Sequence, residues 1–148
     1  MSRDFPVPSY EDINVFDSLD ERAAAKNFLG KDLKQAEEMF QEGLEFFTED
    51  LMFMGPQAFC YYVQAAIAYL TSPASKGDET GVFSFCSTLE FWLSEDWEKI
   101  SPVHNLIQNG VATITELFRQ RHFDPNEYED VPDRYKAMLD RMRSIRHE

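Results

Sequence analysis

The sequence predicts an all-α fold, a single compact bundle of about six helices with an extended N-terminal arm. Apolar residues recur at steps of three and four in several separate windows, which is the period of one helical face. No segment shows the period-two alternation bounded by hairpin turns that marks paired strands. The 148 residues are 43% hydrophobic and 14% aromatic, enough to bury one core and too apolar for a disordered acidic tail. We therefore read residues 1–148 as one helical domain.

Residues 1–16 hold Pro6 and Pro8 among scattered apolar side chains, so this arm is expected to lie extended on the body. Asp17 or Ser18 caps a first helix that runs to Leu29, and Gly30 follows as its C′ residue. A second helix starts at Lys31 or Asp32. Its apolar face is Leu33, Ala36, Met39, Phe40, Leu44 and Phe47, and Gly43 marks a bend or break in it. Gly55-Pro56 then punctuates the chain, with proline suited to the first turn of a third helix that reaches Leu70. That helix is apolar over much of its circumference, which makes it the central one.

Residues 71–77 form a loop. Asp78 and Glu79 favour the start of a fourth helix through the helix dipole, with Val82, Phe85, Cys86, Leu89, Trp92 and Leu93 facing inward. Ser101-Pro102 reads as the N-cap and first turn of a fifth helix, whose stripe runs from Val103 through Leu106 and Ile107 to Phe118. Gly110 lies on that stripe, where it allows a neighbouring helix to approach closely. Residues 122–132 are a polar connector, and a last helix spans about 133–146.

The formal charge is −13, from 27 acidic and 14 basic side chains. A surface so acidic excludes nucleic acid and anionic membranes as natural partners, since phosphate contact needs cations. No apolar run reaches the length of a membrane span, and the first residues lack the pattern of a signal peptide, so a cytoplasmic protein is expected. Cys60 and Cys86 sit in apolar settings and read as buried free thiols, a disulfide between them being the alternative.

The charge is unevenly placed. Residues 1–100 carry 19 acids against 7 bases, while residues 101–148 carry 8 against 7. The densest acidic segment, Asp32 to Asp50, sets seven acids against Lys34 alone. Glu37, Glu38, Glu42 and Glu45 fall on the polar side of the second helix. Like charges four residues apart, such as Glu38 and Glu42, destabilise an isolated helix, and a cationic partner relieves that repulsion. The expected partner is a protein with a basic surface. The last helix is locally basic (Arg134, Lys136, Arg141, Arg143, Arg146) and competes as an intramolecular cover for the same face.

Chemistry is sparsely signalled. His104, His122 and His147 are far apart, and two lone cysteines make no zinc site, so neither metal nor cofactor is expected. No nucleophile elbow and no glycine-rich phosphate loop occurs. Glu49-Asp50 is the one acidic pair embedded in strongly apolar sequence. Asp50 is expected to act as a cap or as a hydrogen-bond anchor for the Gly55-Pro56 turn. The aromatic cluster includes Phe53 and Tyr61, which we take as its surface members. The candidate partner-binding residues are thus Glu37, Glu38, Glu42, Glu45, Glu49, Asp50, Phe53 and Tyr61, with no catalytic set. Two alternatives stand beside this reading. One is a small-ligand protein or enzyme with a pocket near Glu49, Asp50, Tyr61 and Tyr62. The other is an oligomeric subunit joined through the aromatic patch.

From Glu49 through Pro56, then Ala58-Phe59 and Tyr61-Tyr62, the chain reads EDL-x-x-MGP-x-AF-x-YY. In that core it resembles a family of small uncharacterised bacterial proteins, and the likeness extends over about residues 30–95. The resemblance implies a fold and a bacterial source. In size, acidity and helical class the chain is also similar to immunity proteins, which neutralise a cognate toxin by covering it.

Overall fold

The computed structural model describes residues 5–118, 120–121 and 130–145. Among these residues there are eight α-helices and no strand: α1 (Tyr10–Ile13), α2 (Leu19–Phe28), α3 (Leu33–Gly43), α4 (Thr48–Phe53), α5 (Pro56–Leu70), α6 (Glu79–Glu95), α7 (His104–Leu117) and α8 (Val131–Ile145). Short 3-10 turns cover Leu44–Phe46, Pro73–Ser75 and Trp97–Val103. The expectation of an all-α chain holds, but the count of six is too low by two short helices.

The first of these is α1, inside the stretch expected to be extended. Ser9 caps it through a reciprocal box, its hydroxyl taking the Asp12 N–H while the Asp12 carboxylate takes the Ser9 N–H at 2.9 Å. The arm does lie on the body, since Ile13 is fully buried and Phe5 packs on the core. The second is α4, which forms once α3 breaks at Gly43. It has no side-chain cap, and Phe47 stands at its N-cap position. Buried Leu51 and the core, rather than a local signal, hold it.

Most other boundaries follow their capping chemistry. Ser18 caps α2 through the Glu21 N–H, and Gly30 follows it with φ +81°. Asp32 and Gln35 form a capping box on α3, and Pro56 opens α5. Ser101-Pro102 departs from expectation. Both residues lie inside the Trp97–Val103 turn, and α7 begins only at His104. His104 is held there by stacking on Trp97, with centroids 4.1 Å apart, and by a 2.6 Å hydrogen bond from its Nε2 to the Trp97 carbonyl. The connector at 122–129 lies outside the described residues, and α8 starts at Val131, two residues before the expected start.

Helix α5 is the axis of the molecule. Eleven of its fifteen residues are buried, and it packs on α1, α3, α4 and α7. Phe28, Phe40 and Tyr62 meet as an aromatic cluster joining α2, α3 and α5, with Phe28–Tyr62 centroids 4.7 Å apart. Phe59 stacks on Trp92 of α6 at 4.7 Å. Each such side chain, fully buried, contributes on the order of 2–3 kcal/mol of apolar transfer. Their polar ends are satisfied too. Tyr62 donates to the Phe28 carbonyl at 2.7 Å, Trp92 to the Leu51 carbonyl at 2.9 Å, and Tyr135 to the Val82 carbonyl at 2.6 Å.

Two glycines permit close approach. A Cβ on Gly55 would strike the Asp12 carbonyl oxygen and Val15, so its absence lets α1 dock on the α4–α5 junction. The Gly55 N–H donates to the Ile13 carbonyl at 3.0 Å across that contact. A Cβ on Gly110 would lie 2.7 Å from Ile67, so the expected close helix approach is that of α7 to α5. Cys60 and Cys86 are buried and not joined in a disulfide, and burial pushes the Cys86 thiol up to about 12.

Candidate functional site: an acidic helix face and an apolar groove

The eight sequence-predicted residues do not form one patch. Glu38 and Glu42 are exposed on α3, and Glu37 and Glu45 are half-buried on α3 and the turn after it. The buried face of α3, carrying Ala36 and Phe40, packs on α5. The basic last helix lies elsewhere: α8 packs on α6 and α7. Arg134 forms a two-pronged pair with Glu90 of α6, and its guanidinium lies 5.3 Å from the Phe83 ring centre. Arg141 reaches the Leu93 carbonyl at 3.4 Å. The intramolecular closure weighed above is therefore not adopted by these arginines. Arg146 lies outside the described residues.

Two of the other four residues, Asp50 and Tyr61, need correction. Glu49 is exposed on α4. Asp50 is only 8% exposed, and its carboxylate accepts from the Asn27 side chain at 2.7 Å. It ties α2 to α4 and does not anchor the Gly55-Pro56 turn. Burial raises its carboxyl above the usual range, against the lowering effect of that hydrogen bond. Tyr61 is buried at 6% exposure, edge-on to Tyr62 with ring centroids 4.9 Å apart. The helix α5 is apolar nearly all round and α3 covers the face on which Tyr61 sits, so it is no surface anchor. Phe53 is exposed as expected, at 37%, with its ring against Phe91 at 5.6 Å.

Glu49, Asp50, Tyr61 and Tyr62 line none of the three cavities of about 540, 360 and 310 Å³, so none of these is the pocket expected there. Two cavities lie instead on the side of α1, of about 540 and 360 Å³. They share Val15, Pro56 and Lys99 as wall residues and so lie side by side, and the two together are termed the groove. Its walls come from the α1–α2 loop, the α4–α5 junction, the C-terminal turns of α6 and the Trp97–Val103 turn. Phe53, Phe91 and Trp92 line one half, and Phe5, Gln57 and Cys60 line the other.

The α1–α2 loop over this groove is tightly held. Glu21 is buried, and its carboxylate accepts from the Val15 N–H, the Phe16 N–H at 2.8 Å and the Ser18 hydroxyl at 2.7 Å. Burial alone would raise the Glu21 carboxyl, but these hydrogen bonds outweigh it and hold the group below its usual range. Asp17 adopts φ 59°, a left-handed conformation uncommon outside glycine. Arg22 grips it with two 2.9 Å bonds and Asn14 adds a third at 3.2 Å. These bonds hold the Asp17 carboxyl down to about 2. The product of this bracing is an apolar display, with Phe16 at 81% and Leu19 at 80% exposure.

Sequence reasoning missed this groove because its parts come from four separate stretches. The signal present in the sequence was Ser18 followed three residues later by Glu21, a capping pair whose acid here serves the loop before the helix. Among the described residues no three His, Cys, Asp or Glu side chains come together to hold a metal ion, and no helix is long and apolar enough to cross a membrane. Comparison with protein-family models, curated proteins and solved structures finds no significant match to this chain.

Proposed function

We propose that the protein is a protein-binding module of the bacterial cytoplasm, most concretely an immunity protein that neutralises a cognate toxin by covering a basic surface. One observation carries this reading. Glu38 and Glu42 stand exposed on α3 while Arg134 and Arg141 of the basic helix bond to Glu90 and the Leu93 carbonyl of α6. A like-charged helix face of this kind destabilises its own element, and a cationic partner relieves it. Its field also accelerates encounter with a basic partner. Occlusion needs no catalytic residue on this chain, only a rigid surface, and the aromatic core around α5 supplies the rigidity.

The test is genetic. Where the gene lies beside one for a secreted effector, expression of that effector alone is expected to arrest growth. Co-expression of this protein restores it, and a variant with Glu37, Glu38, Glu42 and Glu45 all changed to Lys does not. Restoration by the charge-reversed variant overturns the assigned face. Failure of the wild type to restore growth overturns the immunity reading.

A further inference from the structure

We propose that the groove beneath Phe16 is a docking site for a basic amphipathic helix of a partner protein. This rests on the protein-binding reading and names the anchor that the acidic face lacks. Four features converge. The groove is apolar at its centre, where Val15, Phe53, Pro56, Phe91 and Trp92 meet. Phe16 stands at its rim almost fully exposed and shares the cavity wall with the partly exposed Val15 and Phe53, and a contiguous exposed apolar patch of this kind marks an interaction surface. The loop carrying Phe16 is fixed by the Glu21 carboxylate and the Asp17–Arg22–Asn14 bonds, so little freedom remains to be lost on binding. The charged residues that line the groove and are open to a partner are Glu11, Asp12 and Asp96 against Lys99, which itself lies 3.4 Å from Asp96.

This charge balance selects the occupant. A second copy would bring another acidic rim and another charge of −13 against the first. A helix with bulky apolar side chains on one face and Lys or Arg on its flanks matches both the floor and the rim. The acidic face of α3 then sets the encounter rate, and the groove sets the lifetime of the complex.

The probe is a fluorescein-labelled Leu/Lys peptide of about 18 residues with Leu on one helical face, beside a peptide of the same composition in scrambled order. Wild-type protein is expected to bind the patterned peptide at least about ten-fold more tightly than the scrambled one. Phe16→Asp and Phe53→Asp each weaken it about ten-fold or more. Phe16 is so exposed that its replacement leaves the fold intact, as circular dichroism and thermal melting will show, and it decides the outcome if Phe53→Asp unfolds. Equal binding of the two peptides, no binding, or wild-type affinity in Phe16→Asp overturns the proposal. A dimer of the wild type in light scattering that Phe16→Asp dissolves makes a second copy the occupant and likewise overturns it. The variant reversed at Glu37, Glu38, Glu42 and Glu45 separates the two readings. Loss of binding there alone removes the groove and keeps the acidic face; loss in Phe16→Asp alone does the opposite.

Discussion

Two buried carboxylates respond to pH with opposite signs. Glu21 is held low by its donors, so its stabilising effect is complete above the unfolded carboxylate range and is lost as pH falls from that range through the lower folded value. Asp50 is raised by burial, so the folded state takes up its proton first and Asp50 opposes folding as pH rises through that range. Asp50→Asn keeps a partner for Asn27 and removes the buried charge. Its melting temperature at pH 7 is expected to equal or exceed that of the wild type, with the difference shrinking as pH falls towards 4. Glu21→Ala is expected to destabilise by about 2 kcal/mol, since it strands the donors of Val15 and Phe16. Denaturant unfolding measures the second effect, and melting across pH the first. Tyr62→Phe removes the donor to the Phe28 carbonyl and is expected to cost about 1–2 kcal/mol in the same unfolding assay.

At the scale of elements, the helix–helix contacts are set by what glycine leaves out. Gly110→Ala should gain about 1 kcal/mol of helix propensity. It should lose more, because the new methyl meets Ile67 at 2.7 Å and overpacking of this kind costs about 1–3 kcal/mol. A net destabilisation is expected, relieved in part by Ile67→Ala, which removes the Cγ2 atom that the methyl meets, and a double-mutant cycle reads the coupling. A close helix approach at Gly110 was legible in the sequence because the glycine interrupts an otherwise clear stripe, though Ile67 as its partner was not. The Ser18, Asp32 and Pro56 starts were legible for the same reason: each is local chemistry. Helices α1 and α4 were not. They are too short to show a period, and α4 forms because the core around Leu51 takes it up. The start of α7 failed because Ser101-Pro102 fits a cap equally well inside a 3-10 turn, and only the Trp97–His104 stack decides between them. Of the candidate site, the α3 acids could be placed by period alone. Tyr61 could not, since a helix buried nearly all round gives no pattern that tells inside from outside. The groove was invisible, because its residues are brought together only by folding.

Over the whole molecule, charge and apolar display divide the surface. Glu38 and Glu42 of α3 face outward on one element, Arg134 and Arg141 of α8 bond to α6, and a braced aromatic loop lines a groove beside α1. The net charge of −13 keeps copies apart and attracts cationic partners, and that attraction weakens as salt shortens the Debye length to about 8 Å at physiological ionic strength. The central claim is that the α3 face selects a basic protein. Its most direct measurement is affinity capture from the source organism's lysate, with wild type and the Glu37/Glu38/Glu42/Glu45→Lys variant immobilised in parallel and recovery quantified. The account predicts a discrete basic protein on the wild type and at least about ten-fold less of it on the variant. Recovery of the same proteins in equal yield by both would contradict it.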